Sequence, residues 1–237
     1  MNHLKKNDTS QQYQNDEYLS KNSDWHVKDC PWKAKQIASI INRHNLNLST
    51  ICEVGCGAGE ILRQLSLMEQ FKSVSFFGYE ISQVAYNLSK ERQSDKITFF
   101  HENILNKDIN YDAVLCIDVF EHVENYMEFL KDLKKKSGYK IFHIPLDISV
   151  IGLFRGTMLK TRKLVGHLHY FTPETAIATL ESCGYEIIDK NFTPGFDLPT
   201  QTFMSKLAKF PRSILYRISP SLMSRLIGGA SLMVLTK

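Results

Sequence analysis

The sequence predicts an α/β fold: a doubly wound, seven-stranded, mostly parallel sheet with a helical insertion before the last strand. Short apolar runs alternate with stretches whose apolar residues recur at helical spacing, and strands joined in this way need right-handed crossovers and a parallel sheet. A turn with three glycines, Gly55, Gly57 and Gly59, separates the first predicted strand from its helix. With 237 residues, the chain is long enough to bury one full core of this kind.

Each element has a local signal in the sequence. Pro31 stands in the first turn of a helix that carries Ile37 and Ile41, and Ser82 can cap a later helix. The predicted strands are Thr50–Val54, Ser73–Glu80, Ile97–Phe100, Tyr111–Ile117, Tyr139–Ile144, Tyr185–Ile188 and Leu232–Leu235. The later predicted helices are Glu60–Glu69, Ser82–Arg92, Glu124–Lys136 and Pro173–Cys183. These elements account for one domain.

Two segments depart from this regular alternation. Residues 1–23 are almost wholly polar and predict a mobile N-terminal arm, which leaves 24–237 as the main domain. Residues 193–230 predict a helical, basic insertion that forms a lid, with breaks at Pro211 and Pro220. From position 198 to the end there is no Asp or Glu, so that every charge is positive. The basic residues there are Lys206, Lys209, Arg212, Arg217, Arg225 and Lys237.

Composition bounds the setting of the protein. No run of about 18 apolar residues occurs, so no membrane-spanning helix is expected, and the N-terminus does not resemble a secretory signal. The five scattered cysteines predict buried free thiols. We therefore expect a cytoplasmic protein. The basic, amphipathic residues 203–228 suggest peripheral contact with the inner face of an anionic membrane, and a lid with a solvated basic rim is an equal alternative.

The glycine turn indicates a nucleotide-like ligand, because such turns let the backbone approach a ligand at the carboxyl ends of parallel strands. A dinucleotide fingerprint would place its third glycine at position 60, where Glu60 stands and would repel a pyrophosphate. No basic residue follows Gly59 as a phosphate-cradling loop requires. Acids at 53 and 60 instead favour a cationic ligand.

The stretch from Glu53 to Gly59, Glu-Val-Gly-Cys-Gly-Ala-Gly, resembles the first motif of class I S-adenosylmethionine-dependent methyltransferases. The resemblance implies the methyltransferase form of the Rossmann-like fold, with S-adenosylmethionine as the cofactor. It also implies that the loop bends around the methionine part of the cofactor above the strand-end acid. The cofactor-binding residues that it implies here are Glu53, Gly55, Cys56, Gly57 and Gly59.

Further motifs extend the resemblance over roughly residues 50–190. Glu80, followed by Ile81, matches the acid that binds both ribose hydroxyls. Asn103, followed by Ile104, stands where the family usually has an Asp for the adenine amino group, and an ordinary turn residue is an open alternative. Asp118 opens Asp-Val-Phe-Glu-His-Val, which is similar to a segment of small-molecule methyltransferases, including those of quinone biosynthesis, and it is a further candidate for cofactor binding.

Histidines are the candidate catalytic residues, since an acceptor hydroxyl needs a group that takes its proton. His122 follows the fourth strand, and His167 lies in a segment that is also similar to the quinone-type enzymes. His122 has the equal alternative of holding its loop through a backbone carbonyl, and His143 is interpreted as a satisfied core residue. No metal is expected, because the His167 and His169 pair shows no further ligands in the sequence.

These observations predict methyl transfer from S-adenosylmethionine to a small-molecule acceptor that is anionic or lipid-associated, with O-methylation favoured over N-methylation. Two alternatives stay open: an RNA or protein methyltransferase, and a non-catalytic S-adenosylmethionine-binding partner protein. The modest charge and the lack of a recognisable RNA-binding module argue against nucleic acid. The sequence leaves the oligomeric state undetermined.

Overall fold

The computed structural model describes residues 27–198 and 209–237 and contains one seven-stranded sheet in the order β3-β2-β1-β4-β5-β7-β6. The strands are β1 (Thr50–Val54), β2 (Ser75–Tyr79), β3 (Ile97–Phe100), β4 (Tyr111–Ile117), β5 (Ser137–Pro145), β6 (Ile187–Pro194) and β7 (Ala230–Thr236). The first five strands pair in parallel, and β7 runs antiparallel to both β5 and β6. The predicted doubly wound, mostly parallel sheet is confirmed.

Helices cover both faces of this sheet. They are α1 (Cys30–Arg43), α2 (Glu60–Ser66), α3 (Gln83–Ser89), α4 (Tyr126–Leu133), α5 (Val150–Phe154), α6 (Thr157–Val165), α7 (Pro173–Ser182), α8 (Lys209–Ile218) and α9 (Pro220–Leu226). Ile37 of α1 and Leu62 of α2 belong to one apolar cluster, whereas Leu130 of α4 and Leu180 of α7 belong to a second. Each cluster includes alternate residues of the central strands, which explains why those strands read as continuous apolar runs.

The sequence placed most elements correctly but missed several boundaries. Three predicted helices end early: α2 stops at Ser66, α3 at Ser89 and α4 at Leu133, and a short 3-10 turn follows soon after each. The predicted strand at 185–188 is wrong in extent, because β6 begins at Ile187 and continues to Pro194. Tyr185 precedes it and donates its hydroxyl hydrogen bond to the carbonyl of Leu130 at 2.7 Å. A packed aromatic side chain there resembles a strand residue in sequence.

Two helices between β5 and α7 were not predicted. The Ser149 hydroxyl caps α5 by accepting a bond from the Gly152 N–H at 3.0 Å, and Gly156 (φ +59°) separates α5 from α6. Many of their apolar side chains are exposed, so they give no one-sided helical pattern. The Ser149 cap and Gly156 set the start of α5 and the boundary between the two helices instead.

The insertion before β7 is helical in its described part, as predicted. Pro220 begins α9, but Pro211 lies in the first turn of α8 and does not break it. Tyr216 of α8 donates to the carbonyl of Phe192 on β6 at 2.7 Å, and Met223 of α9 packs with Phe196. The predicted mobile arm at 1–23 and residues 199–208 of the insertion lie outside the described residues.

Two further expectations concern the cysteines and the membrane. All five cysteines are buried thiols that form no disulfide, as predicted. Of the helices in the described ranges, none combines the length and apolar character that a membrane crossing needs.

The carboxyl ends of four strands meet at one edge of the sheet. The strand ends are in register, with Val54 beside both Tyr79 and Cys116, and Tyr79 beside Phe100. The loops that follow β1, β2, β3 and β4 therefore gather in one place, which is where parallel α/β sheets bind ligands.

Close packing fixes Gly59 at the start of α2. Its φ of +76° is left-handed, and a Cβ there would stand 2.3 Å from Cζ of Phe99, a core residue of β3. Both the backbone conformation and the space therefore require glycine.

We predict that Gly59→Ala lowers the free energy of unfolding by at least about 2 kcal/mol, because left-handed strain adds to overpacking against Phe99. Urea denaturation measures the change. The control is Gly138→Ala on β5, where φ is not left-handed and the nearest atom, the Asp112 carbonyl oxygen, is 3.8 Å away. Equal destabilisation by the two substitutions would contradict this packing argument.

Candidate active site

The glycine turn after β1 is a run of left-handed residues. Gly55, Gly57 and Gly59 have φ values of +62°, +53° and +76°. The N–H of Cys56, between them, donates to the carbonyl of Tyr79 at the end of β2 at 3.1 Å. Side chains are disfavoured at all three glycines, so the turn presents bare backbone at the ligand-binding edge of the sheet.

Glu80 joins this turn to the end of β2. One carboxylate oxygen accepts a hydrogen bond from the Gly57 N–H at 2.9 Å, and the other accepts from the Ser82 N–H at 2.8 Å. The side chain is buried, and burial raises the pKa of Glu80 against the opposing effect of backbone hydrogen bonds from Ser82, Gly57 and Ile81. The two carboxylate oxygens together offer about four acceptor positions, and these donors do not fill them all. The carboxylate can therefore still accept a hydroxyl donor, as the ribose prediction requires.

Glu53 is a buried acid beneath the turn. It is 2% exposed, and its Oε2 atom has no hydrogen-bond partner in the described part of the chain. Burial raises the pKa of Glu53 well above its ordinary value, while the nearby Lys33 ammonium lowers it in part. A buried carboxylate oxygen without a partner is costly. Bound cationic or hydrogen-donating groups would relieve that cost, so this atom fits a ligand that carries an ammonium group.

Asp118 ends β4 in a strained, doubly paired position. Its φ of +54° is left-handed although it is not glycine. One carboxylate oxygen lies 2.6 Å from Lys33 Nζ of α1, and the other lies 2.6 Å from His143 Nδ1 of β5. Burial alone would raise the pKa of Asp118, but His143 and Lys33 together hold it well below its usual value. The His143 Nε2 atom also bonds the Thr193 hydroxyl at 2.9 Å, so the interpretation of His143 as a satisfied core residue is confirmed.

The expectation that Glu60 favours a cationic ligand is wrong. Its carboxylate accepts hydrogen bonds from Arg63 at 2.9 and 2.7 Å, from Gln64 at 2.7 Å and from Arg92 at 2.7 Å. Burial opposes ionisation, but these donors lower the pKa of Glu60 to about 2. The negative charge is balanced within the protein, so Glu60 offers no free charge to a cationic ligand.

The predicted adenine contacts lie after β2 and β3. Asn103 caps its own turn, because its Oδ1 accepts from the Leu105 N–H at 3.0 Å, which agrees with the turn alternative. The NH2 group of the same side chain has no partner among the described residues. The Ile81 side chain is 68% exposed and offers an apolar surface, whereas the Ile104 side chain is fully buried and leaves only its backbone for contact. The assignment of these three residues to the cofactor stays a prediction.

A second group of polar side chains lies beside this edge, with Glu121 at its centre. One ligand atom from each of Glu121, His122 and His167 lies within 4.8 Å of the others. Glu121 is fully buried, and neither of its carboxylate oxygens has a hydrogen-bond partner within residues 27–198 and 209–237. Burial raises the pKa of Glu121 well above its ordinary value, and the charge of Asp118 raises it further.

Both histidines of this group are oriented by neighbours. The Nδ1 atom of His167 lies 2.6 Å from the carboxylate of Asp147, in the loop after β5. The ring of His122 packs edge-on against that of His167 at 4.8 Å and bonds the Gly166 backbone. Burial and the neighbouring His167 lower the pKa of His122 to about 4. Neutral imidazoles are able to accept a proton or bind a metal ion.

The group also fits a divalent cation, which the sequence did not predict. One carboxylate and two imidazoles are ligands that Zn²⁺ and similar ions accept, and Asp147 supports His167 as acids commonly support metal-bound histidines. The two unpartnered oxygens of Glu121 are the observation that favours a cation here. His169 lies outside this group, since its Nε2 bonds the carbonyls of Val123 and Glu124 at 3.0 and 3.3 Å.

Sequence reasoning missed three polar residues of the site. Lys33 lies in the first helix, and nothing local links it to Asp118 85 positions later. Glu121 stands within the Asp118–Val123 segment, where its place between two candidates was an available signal. Asp147 follows the end of β5 at the ligand-binding edge, and an acid at that position was a second signal.

Comparisons with known proteins identify the family. A family model described as a methyltransferase domain matches residues 25–190, more than half of the chain. The chain belongs to the methyltransferase domain family.

Curated relatives of this methyltransferase-domain chain are distant. The ubiquinone biosynthesis O-methyltransferase of Rickettsia bellii is 32% identical over 111 residues, which are 45% of each chain. Nodulation protein S of Azorhizobium caulinodans is 25% identical over 132 residues, 51% of this chain and 62% of the relative. The aligned part thus spans about half the length of the curated relatives.

Solved structures confirm the fold of the methyltransferase domain. A SAM-dependent methyltransferase from Geobacter sulfurreducens, solved with S-adenosyl-L-homocysteine, superposes with a TM-score of 0.63 at 13% identity. The match covers 93% of this chain and 96% of that one. The expected Rossmann-like methyltransferase fold is therefore shown over nearly the full length.

We predict that Glu80→Gln weakens binding of S-adenosyl-L-homocysteine by about tenfold or more, because a charged acceptor for the ribose is lost. Isothermal titration calorimetry measures the affinity, and circular dichroism checks the fold. Glu91→Gln, an exposed acid in the turn after α3, is the control and leaves the affinity unchanged. Equal affinities for Glu80→Gln and the wild type would remove Glu80 from the cofactor site.

We also predict that the wild-type protein binds Mn²⁺ or Zn²⁺ and that Glu121→Gln reduces the affinity about tenfold or more. Without metal, Glu121→Gln keeps or raises the melting temperature, because it removes a buried carboxylate without a partner. Glu124→Gln, an exposed acid three residues on, is the control and binds the metal as the wild type does. Absence of metal binding to the wild type, or similar losses in both variants, contradicts a metal centre.

Proposed function

We propose that this protein transfers a methyl group from S-adenosylmethionine to a hydroxyl group of a small-molecule acceptor. The observation that carries the proposal is the Glu80 carboxylate on the Gly57 N–H within three left-handed glycines. This arrangement offers a carboxylate for the ribose beside bare backbone for the rest of the nucleoside. Membership of the methyltransferase domain family supports the same ligand.

The proposed cofactor lies across the carboxyl ends of the first four strands. Glu80 binds the ribose, the Ile81 and Asn103 region receives the adenine, and the amino acid end extends over the turn toward Glu53. The unpartnered Oε2 of Glu53 suits its ammonium group. Gly55 keeps the space beside Val119 open, since a Cβ there would meet Cγ2 of Val119 at 3.0 Å.

Methyl transfer from a sulfonium is an in-line displacement in which the acceptor oxygen attacks the methyl carbon and the thioether leaves. The sulfonium is already a good leaving group, so that the protein mainly aligns the reactants and excludes water. The acceptor oxygen must lose its proton. His167 suits this step, because Asp147 holds its Nδ1 and leaves Nε2 as the basic nitrogen. His122 lies next to it and shares the group.

A divalent cation held by Glu121, His122 and His167 would lower the pKa of a bound acceptor hydroxyl. Either role of the histidines favours O-methylation, since a hydroxyl acceptor needs help with its proton more than a neutral amine does. The Rickettsia bellii relative is an O-methyltransferase, which agrees with this choice.

Apolar side chains next to the acceptor side support a lipid-associated acceptor. Leu153 and Phe154 of α5 are 56% and 90% exposed, and Phe210 and Ile218 of α8 are 74% and 73% exposed. Basic residues Arg155, Lys160, Arg162 and Lys163 accompany α5 and α6. Exposed apolar groups with positive charges are typical of contact with an anionic membrane surface. The membrane contact first proposed for 203–228 thus extends to α5 and α6.

A labelling experiment tests the function. The protein is incubated with tritiated-methyl S-adenosylmethionine and host lysate that is separated into lipid, small-molecule, RNA and protein pools. We expect label in the lipid or small-molecule pool, and we expect it to resist alkaline hydrolysis as a methylated hydroxyl group does. We also expect His167→Ala to lower the rate of transfer about 100-fold while the affinity for the cofactor stays unchanged. Label confined to RNA or protein would establish one alternative function. Cofactor binding with no label in any pool would establish the non-catalytic alternative.

A sedimentation experiment tests the membrane contact. We predict that the protein sediments with vesicles that contain phosphatidylglycerol, and that Leu153→Glu with Phe154→Glu abolishes this by placing acids on the apolar surface. The control is Leu67→Glu, whose 68% exposed side chain lies at the end of α2. Negligible binding to vesicles with and without the anionic lipid would refute the membrane contact and leave the interpretation of residues 193–230 as a lid.

A further inference from the structure

Arg212 of α8 is a partly buried cation that pairs with no carboxylate among the described residues. Its Nε atom is shielded from solvent and has no hydrogen-bond partner in that part of the chain. The guanidinium group packs on the backbone of Gly229, because a Cβ at that glycine would stand 3.2 Å from Cζ of Arg212. Gly229 has a φ of +82°, so that glycine is favoured there both by conformation and by the arginine above it.

A second arginine adds to this charge. Burial lowers the pKa of Arg212, and Arg155 at the end of α5 lies close enough to lower it further. Arg155 itself is exposed and has no carboxylate partner among the described residues. No acid occurs from 198 to the end of the chain, so residues 199–208, which join the described part to α8, carry no carboxylate. Desolvated like charges are retained at a cost to stability.

The arginine pair lies at the same edge of the sheet as the candidate active site, because Gly229 precedes β7, whose start pairs with the end of β5. The loop after β5 carries Asp147, which holds His167, and then Ser149. The Ser149 hydroxyl lies 2.7 Å from where a Cβ of Gly228 would stand, and the next residue, Gly229, supports Arg212. The same loop leads through α5 to Arg155. One short loop therefore connects the catalytic candidates to both guanidinium groups.

We propose that Arg212 and Arg155 form a binding site for a phosphate-class anion at the acceptor side of the active site. Guanidinium groups recognise phosphate oxygens through paired charge-assisted hydrogen bonds, and the free Nε–H of Arg212 is such a donor. The anion is a phosphate on the acceptor itself or the phosphate of a lipid headgroup. The anion site itself is argued from the two arginines. Only the identity of the molecule that carries the anion rests on the proposed function.

Inorganic phosphate is the first probe, with thermal unfolding of the wild-type protein in phosphate and in chloride at equal ionic strength. We expect phosphate to raise the melting temperature by preferential binding to the folded state. Arg212→Gln abolishes this rise, weakens phosphate binding about tenfold or more, and does not lower the melting temperature in chloride. Arg155→Gln, at an exposed position, weakens phosphate binding in a background that is expected to fold normally.

The matched control is Arg217→Gln, which removes the same charge from an exposed position on the same helix. Vesicles of phosphatidylcholine, with and without phosphatidylglycerol, form the second arm and distinguish the two sources. Loss of phosphatidylglycerol binding in Arg212→Gln but not in Arg217→Gln assigns the site to a lipid headgroup. A phosphate response that depends on Arg212 without this vesicle difference assigns it to a soluble phosphate-bearing acceptor.

Equal losses in Arg212→Gln and Arg217→Gln, in both arms, indicate a diffuse basic surface and overturn the proposal. The absence of any specific phosphate or vesicle effect in the wild type overturns it as well. Calorimetry with S-adenosyl-L-homocysteine on the same variants separates this result from the proposed function. Failure to bind that nucleoside refutes the methyltransferase mechanism, whereas retained nucleoside binding with no anion effect refutes only the arginine site.

Discussion

The Glu80 carboxylate is the interaction on which the proposed site depends, because it joins two strand ends that are neighbours in the sheet but distant in sequence. It accepts the N–H of Gly57 from the turn after β1 and the N–H of Ser82 from the start of α3. The left-handed glycines make the turn narrow, and the carboxylate fixes it against β2. A nucleoside placed at this edge meets bare backbone on one side and a fixed acceptor on the other. An enzyme that accelerates a reaction by aligning its reactants needs a rigid binding site of this kind.

Buried charges mark the rest of the same edge. Lys33, Asp118, His143 and Thr193 form one continuous chain of hydrogen bonds from α1 through β4 and β5 to β6, and it holds a non-glycine residue in a left-handed conformation. Strain and buried ion pairs of this kind persist where the surrounding structure over-determines them. The Asp118 backbone is thereby fixed next to the proposed cofactor and acceptor regions.

Among the described residues, three side chains have solvent-shielded polar atoms without a hydrogen-bond partner, and we assign each to a different proposed ligand. Glu53 lies beneath the turn, Glu121 lies beside the two histidines, and Arg212 lies above Gly229. Most buried polar atoms in proteins are hydrogen-bonded, so that such exceptions tend to mark function. The signs of the charges are informative: the two acids suit the cofactor ammonium and a metal ion, and the arginine suits an anion. An acceptor that spans the last two would be held at both ends.

The sequence predicted what local signals determine. Glycine spacing, short apolar runs and caps such as Ser82 act within a few residues, and the strands, the turn and the cap of α3 were placed accordingly. The pairing of Lys33 with Asp118, of His167 with Asp147 and of Arg212 with Gly229 depends on chain crossings that no local pattern encodes. Helices α5 and α6 were missed for a different reason. Many of their apolar residues are exposed rather than packed in the core, so the apolar spacing that predicts a helix is absent.

Amide hydrogen exchange tests the central claim most directly, on purified protein freed of any bound nucleoside. The account predicts that S-adenosyl-L-homocysteine slows exchange in peptides that cover 53–60 and 78–83, because the turn and the Glu80 region close on the ligand together. NAD at the same concentration is predicted to leave both peptides unchanged. Protection of these peptides by NAD alone, or S-adenosyl-L-homocysteine binding that protects only other regions, would contradict the account.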